Sequence, residues 1–133
     1  MASRYHEVYE GWKRDPEQFW ADAAKAIDWF SPYGRVFDAE AGVYGRWFTG
    51  ASCNTCFNAI DRHVASGRAE QVALIHDSAI TGTIRKFTYV ELKREVIALA
   101  SVLKNRGIGK GDRVIIYMPM VAEAAFAMLA CSR

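Results

Sequence analysis

The stretch from Asp112 to Arg133 (Asp-Arg-Val-Ile-Ile-Tyr-Met-Pro-Met-Val-Ala-Glu-Ala-Ala-Phe-Ala-Met-Leu-Ala-Cys-Ser-Arg) constrains the fold more than any other. It reads as an apolar strand, a proline corner and a helix. From Val121 to Cys131 the only polar side chain is Glu123. A helix that is apolar all round needs protein on every side. At about a dozen residues it is too short for a bilayer, which takes roughly 20. It is therefore expected to be a core helix of an α/β domain. Because the chain stops where that core begins, it is expected to be the front part of a larger protein.

The rest of the chain supplies the beginning of such a domain. Gln71–His76 reads as a strand, Asp77–Thr83 as a turn containing Gly82, and Ile84–Phe87 as a returning strand, which together make a hairpin. Thr88-Tyr-Val-Glu91 is a capping box. It opens a long helix whose core face is Leu92, Val96, Leu99, Ala100 and Leu103, and Gly107 stops it. Gly109-Lys-Gly-Asp112 is a polar turn, and Arg113–Met118 is the next strand. Strand 71–76, helix 89–106 and strand 113–118 predict a right-handed βαβ unit with the two strands parallel. The helix at 121–132 begins a second crossover. Upstream, Asn54 predicts an N-cap for a helix to about Ala65, with Phe57, Ile60 and Val64 on one face and Gly67 ending it.

The first fifty residues differ in character. Tyr5, Val8, Tyr9 and Trp12 repeat at helical spacing. Asp15-Pro-Glu-Gln18 is a second helix start, with Pro16 at the first helical position and Gln18 placed to complete a capping box. Ser31-Pro-Tyr-Gly34 reads as a turn. Residues 35–52 predict short strands at Val36–Phe37 and Val43–Phe48, interrupted by glycines, with Tyr44, Trp47 and Phe48 packed against a neighbouring surface. All four tryptophans lie before residue 53, which sets a boundary near 52–60.

Composition narrows the function classes. The net charge is +2, with Lys and Arg scattered among Asp and Glu, so neither nucleic acid nor an anionic membrane is expected as a partner. The N-terminus has no apolar signal region, and the three cysteines are an odd count. Both point to the cytoplasm.

Several motifs invite chemistry and are better read as structure. Cys53-Asn-Thr-Cys56 lacks the two further ligands of a zinc site and the preceding strand of a thiol redox unit, so both thiols are expected to pack. Gly107-Ile-Gly-Lys-Gly-Asp112 fails the phosphate-loop pattern, because no Ser or Thr follows Lys110 and a strand follows the glycines. Thr81-Gly-Thr-Ile-Arg-Lys86 is a hairpin turn. Asp61-Arg-His63 places three chemical groups side by side, but adjacent helix positions face different ways. The end of the last strand, Met118-Pro-Met120, is where α/β proteins gather ligands. It offers no nucleophile, acid, base or metal ligand. Glu123 is the nearest ionisable group, and a helix-dipole role is expected of it.

Taken in order, these residues resemble the N-terminal part of an AMP-forming short-chain acyl-CoA synthetase, in the acetyl- and propionyl-CoA synthetase branch of the adenylate-forming superfamily. The similarity is carried by Tyr9-Glu-Gly-Trp12, Asp15-Pro-Glu-Gln-Phe-Trp20, Ile27-Asp-Trp-Phe30, Arg46-Trp-Phe48 and Asn54–Val64. It continues through Phe87-Thr-Tyr-Val-Glu-Leu92, Lys110–Met120, Glu123-Ala and Ala127–Cys131. Asn54-Thr-Cys56, Asp61–Arg68 and Asp77–Thr83 look closer to propionyl- than to acetyl-CoA synthetases.

The resemblance implies residues 1–58 as an N-terminal cap and 59–133 as the start of an AMP-binding large domain. It implies a propionate–CoA ligase using ATP, Mg²⁺ and coenzyme A, with an acetate–CoA ligase as the alternative. The partner it implies is the remainder of the same large domain, with a small carboxylic acid as substrate. It maps no catalytic, cofactor-binding or metal residue of the family onto residues 1–133, so these residues alone are expected to be inert. A reading of another class, a non-catalytic interaction module docking through helix 121–132, stays open.

Overall fold

A computed structural model of the chain describes residues 3–133. The fold is mixed α/β, as the sequence pattern requires, and divides into two compact units, Met1–Cys53 and Asn54–Arg133.

In the first unit, α1 (Tyr5–Arg14) and α2 (Pro16–Ala24) meet at Asp15. The Asp15 carboxylate accepts from the Gln18 backbone N–H at 2.9 Å, satisfying an otherwise orphaned helix donor. The reciprocal half of the expected capping box is not among the hydrogen bonds of the described residues. Along α1 the rings of Tyr5, Tyr9 and Trp12 stack at 5.6 and 5.7 Å. The Trp29 indole donates to the Ala24 carbonyl at 3.0 Å and so closes the end of α2.

Strands β1 (Arg35–Asp38) and β2 (Arg46–Thr49) form an antiparallel hairpin with Phe37 opposite Trp47. Their ring centroids are 4.7 Å apart. Gly45 sits under that pair at φ +68, and a Cβ there would lie 2.5 Å from the Phe37 ring. The expected turn at 31–34 is partly extended, with Ser31 bridging Ser52. Phe48 adopts φ +52, unusual for a residue with a side chain. Its ring is flanked by Tyr33 at 5.2 Å and Trp29 at 5.5 Å. Trp47 and Phe48 thus pack as expected. Tyr44 does not: it sits at a hairpin tip with 94% of its surface exposed, because the glycines on either side of Val43 and Tyr44 (Gly42 and Gly45) turn the chain outward with positive φ.

The second unit starts at Asn54, whose side-chain oxygen accepts from the Phe57 N–H at 2.8 Å. The helical run over 55–68 is wider than an α-helix, with π-type turns at Phe57–Asp61 and Val64–Arg68. Gly67, at φ +84, takes the backbone out of helical geometry. Strands β3 (Val72–Ser78) and β4 (Thr83–Thr88) form the predicted antiparallel hairpin, with His76 opposite Arg85. Gly82 turns it at φ +64 and donates to the Ser78 carbonyl at 2.8 Å. Thr88 and Glu91 make both halves of the capping box that opens α3 (Tyr89–Asn105). Hydrogen bonds from the Thr88 backbone and hydroxyl hold the Glu91 carboxyl below the usual range.

After α3, Gly107 reverses the chain at φ +83, and Asp112 accepts from the Gly109 N–H at 2.8 Å, so the glycine-rich loop is a turn. Residues 113–118 run on extended, and α4 (Ala122–Cys131) follows the Pro119 corner. The core joins Cys56 and Ile60 to Leu92 and Val96 of α3 and to Ala122, Phe126 and Ala130 of α4. Phe87 meets Phe126 edge-on at 5.2 Å.

The parallel βαβ pairing expected from the sequence is not formed. Among the described residues, β3 pairs with β4 alone, and 113–118 belongs to no ladder. Apolar patterning marks a segment as extended and shielded but does not name the strand beside it. Ile115 and Tyr117 are 91% and 99% exposed. Nor is α4 enclosed all round: Ala122, Phe126, Ala127 and Ala130 are buried, while Met128 faces out.

Candidate functional site

Two clusters of polar groups organise the second unit. The first centres on Asp61, at the end of the π-type turn Phe57–Asp61. Arg133 grips this carboxylate in a two-pronged pair, Nη1–Oδ2 at 2.8 Å and Nη2–Oδ1 at 3.1 Å. From α3, Lys93 Nζ adds a third contact at 3.0 Å. Such bidentate arginine–carboxylate pairing is among the strongest hydrogen bonding a side chain offers. The Asp61 side chain keeps 12% of its exposure, against 28% for Arg133 and 31% for Lys93. Burial raises the Asp61 carboxyl, but the hydrogen bonds and charges of Arg133 and Lys93 outweigh it, and the net position lies below the usual range. Asn54 Nδ2 donates to the Arg133 carbonyl at 3.0 Å. Arg133, after α4, is thus clasped to the helical run that opens the unit, through its backbone at Asn54 and its side chain at Asp61.

Beneath this clasp lies the Cys56 thiol, fully buried, with Arg133 Nη1 at 3.5 Å from the sulfur. Burial pushes that thiol up, with Arg133 pulling the other way. A thiol in this state is a packing group rather than a nucleophile. Cys53 is exposed, so the expectation that both cysteines of the CxxC pack holds for Cys56 and fails for Cys53. The helix ends between them, at the Asn54 cap, and only the residue inside it points into the core.

His63 does not join Asp61. It accepts from Arg68 and lies 4.8 Å from the Tyr89 ring, centroid to centroid. Neighbouring helix positions diverge, as the sequence predicts.

The second cluster surrounds Met118-Pro119-Met120, the strand end marked by the sequence. His76 Nε2 lies 3.1 Å from the Met120 carbonyl, and Arg85 Nη1 lies 3.0 Å from Glu123 Oε1. A carbonyl only accepts, so His76 donates from Nε2. Its own backbone N–H and then Arg85 hold the Glu123 carboxyl below the usual range. Glu123 thus has the helix-terminus role expected of it, and an ion partner in addition. Neither cluster presents a free base next to a nucleophile. Among the described residues no group of three or more His, Cys, Asp or Glu could hold a metal ion.

Both stretches of the chain match known families. The profile of the AMP-binding enzyme family matches residues 61–133, more than half of the chain, and that of the acetyl-coenzyme A synthetase N-terminus matches residues 5–59. The chain belongs to the AMP-binding enzymes. It is 42% identical over 132 residues to a human protein described as acyl-CoA synthetase short-chain family member 3, mitochondrial, covering 99% of this chain and 19% of that one. It is 48% identical over 131 residues to acetyl-coenzyme A synthetase 2 of Pseudomonas putida, covering 97% and 20%. The solved acetoacetyl-CoA synthetase from Streptomyces lividans superposes with a TM-score of 0.79 at 30% identity, over 91% of this chain and 19% of that one. The chain therefore spans about a fifth of the length of these relatives.

The Asp61–Arg133–Lys93 cluster was not legible in the sequence. Its members lie 32 and 72 positions apart from Asp61, beyond any local spacing rule. The local sequence offered only an acidic residue beside the apolar positions Phe57, Ile60 and Val64.

Proposed function

We propose that residues 1–133 are the scaffolding portion of a short-chain acid–CoA ligase that prefers propionate. The reaction runs in two steps. The acid carboxylate attacks the α-phosphate of ATP and releases diphosphate, leaving an acyl-adenylate. The coenzyme A thiol then attacks the acyl carbon and releases AMP. In this reading residues 1–133 hold shape, and the reacting groups come from the rest of the protein. The observation that supports it is the ordered match of an acetyl-CoA synthetase N-terminal region and an AMP-binding region along one chain. The engagement of Asp61 and Glu123 in ion pairs favours a positioning role for both carboxylates. Extended residues 113–118 supply the surface for the remainder of the same domain, whose strands would complete the ladder that a lone segment cannot make. Three unpaired thiols fit a cytoplasmic setting.

The test is ATP–pyrophosphate exchange. The whole protein is expected to exchange with propionate, at a higher kcat/KM than with acetate, while residues 1–133 alone give none. Turnover by residues 1–133 refutes the scaffolding role. A preference for acetate moves the assignment to acetate–CoA ligase, a reading favoured by relatives named acetyl-coenzyme A synthetase.

A further inference from the structure

We propose that His76 and Arg85 are positioning residues that together fix the Met118–Pro119–Met120 corner and the first turn of α4. The two are directly opposite each other across the β3–β4 ladder, so they project from the same face of the hairpin. From there each reaches a different part of the same corner. His76 Nε2 donates to the Met120 carbonyl at 3.1 Å, and Arg85 pairs with Glu123 at 3.0 Å.

A third contact continues the line. The Arg85 guanidinium lies 4.9 Å from the Phe87 ring, and Phe87 meets Phe126 edge-on. Glu123 and Phe126 are three apart and share one face of α4. Hairpin and helix therefore interlock through a hydrogen bond, an ion pair and an aromatic pair in sequence. The proline corner is fixed without a ladder of its own.

The His76 ring is committed to this contact. With Nε2 donating, the other nitrogen, Nδ1, is buried and has no hydrogen-bond partner among the described residues. A ring rotated to offer Nδ1 instead would forfeit the Met120 contact. The corner sits where the extended segment 113–118 leads into α4, the position at which a strand end in an α/β fold would bring backbone to ligand. For any ligand held there, a misplacement of about 1 Å in the supporting backbone costs on the order of a hundredfold in rate. The consequence for catalysis rests on the acid–CoA ligase reading; the placement of the corner does not.

Two measurements test it. In residues 1–133, amide hydrogen exchange at residues 121–124 is expected to quicken about tenfold in His76→Ala and in Arg85→Met. Exchange in the middle of α3 should stay unchanged, and His76→Gln, whose amide can still donate to Met120, should restore protection. In the whole protein, His76→Ala is expected to lower kcat for propionate-dependent ATP–pyrophosphate exchange about tenfold, with KM for propionate within about twofold. His76→Gln should recover most of that loss. Unchanged exchange at 121–124, or a loss that His76→Gln does not rescue, overturns the proposal. If His76→Ala fails to fold, Arg85→Met and His76→Gln carry the same comparison. A wild-type protein without exchange activity would sink the ligase reading alone, and the amide measurement would still decide the role of His76 and Arg85.

Discussion

Replacing Asp61 with alanine removes the acceptor on which Arg133 and Lys93 converge. The size of the effect follows from exposure. An ion pair open to solvent contributes about 0–1 kcal/mol, whereas removing one partner of a fully buried pair costs about 3–5 kcal/mol. Asp61 is nearly enclosed, but its partners keep close to a third of their exposure, so the cost should be about 2 kcal/mol. For a domain of this size each kcal/mol is worth about 4–8 °C, giving a drop of roughly 8–16 °C in Tm. Asp61→Asn, which retains one acceptor oxygen, should cost about half as much. Arg133→Met should couple to Asp61→Ala, the double variant losing about 1 kcal/mol less than the sum. The assay must report on the second unit. All four tryptophans precede residue 53, so tryptophan fluorescence follows the first unit, and far-UV circular dichroism or amide exchange at α3 and α4 is needed for the second. A destabilisation below about 0.5 kcal/mol, or strict additivity with Arg133→Met, would refute the clasp as a source of stability.

Acid should act through the same carboxylate. Because the native Asp61 lies below its ordinary value of 3.8, its contribution is complete above that value and is lost as the pH falls through the depressed native one. An acid titration of unfolding should therefore show a shallower loss in Asp61→Ala than in wild type. Thiol labelling without denaturant should modify Cys53 and Cys131 quickly and Cys56 slowly, and Asp61→Ala should speed the third reaction by loosening Arg133 above the sulfur. Gly45→Ala should destabilise the first unit by about 2 kcal/mol, since the new methyl meets the Phe37 ring and the backbone is left-handed. Tryptophan fluorescence during urea unfolding measures that loss.

What could be read in the sequence was local. Helix starts at Asp15, Asn54 and Thr88 were legible because a cap is a relation between residues three apart. The β3–β4 hairpin was legible because turn and alternation sit side by side. Ladder partnership for 113–118 was not, since an apolar strand carries no mark of its neighbour. The polar clusters were invisible for the same reason. Arg85 and Glu123 are 38 positions apart, His76 and Met120 are 44 apart, and each of these residues has a plausible local role of its own. The π-type turns also escaped, because a widened turn keeps the same apolar residues inward and changes only their angular spacing.

Phe48 carries a constraint on how the first unit can vary. A left-handed backbone at a residue with a side chain costs of order 1–3 kcal/mol and persists only where the surroundings enforce it. Here the enforcement is the ring itself, held between Trp29 and Tyr33. Glycine would relieve the backbone and empty the space between those rings. Any other large apolar residue would fill the space and inherit the strain. Single substitutions at this position therefore exchange one penalty for another, and improvement requires changing Phe48 together with one of its aromatic neighbours.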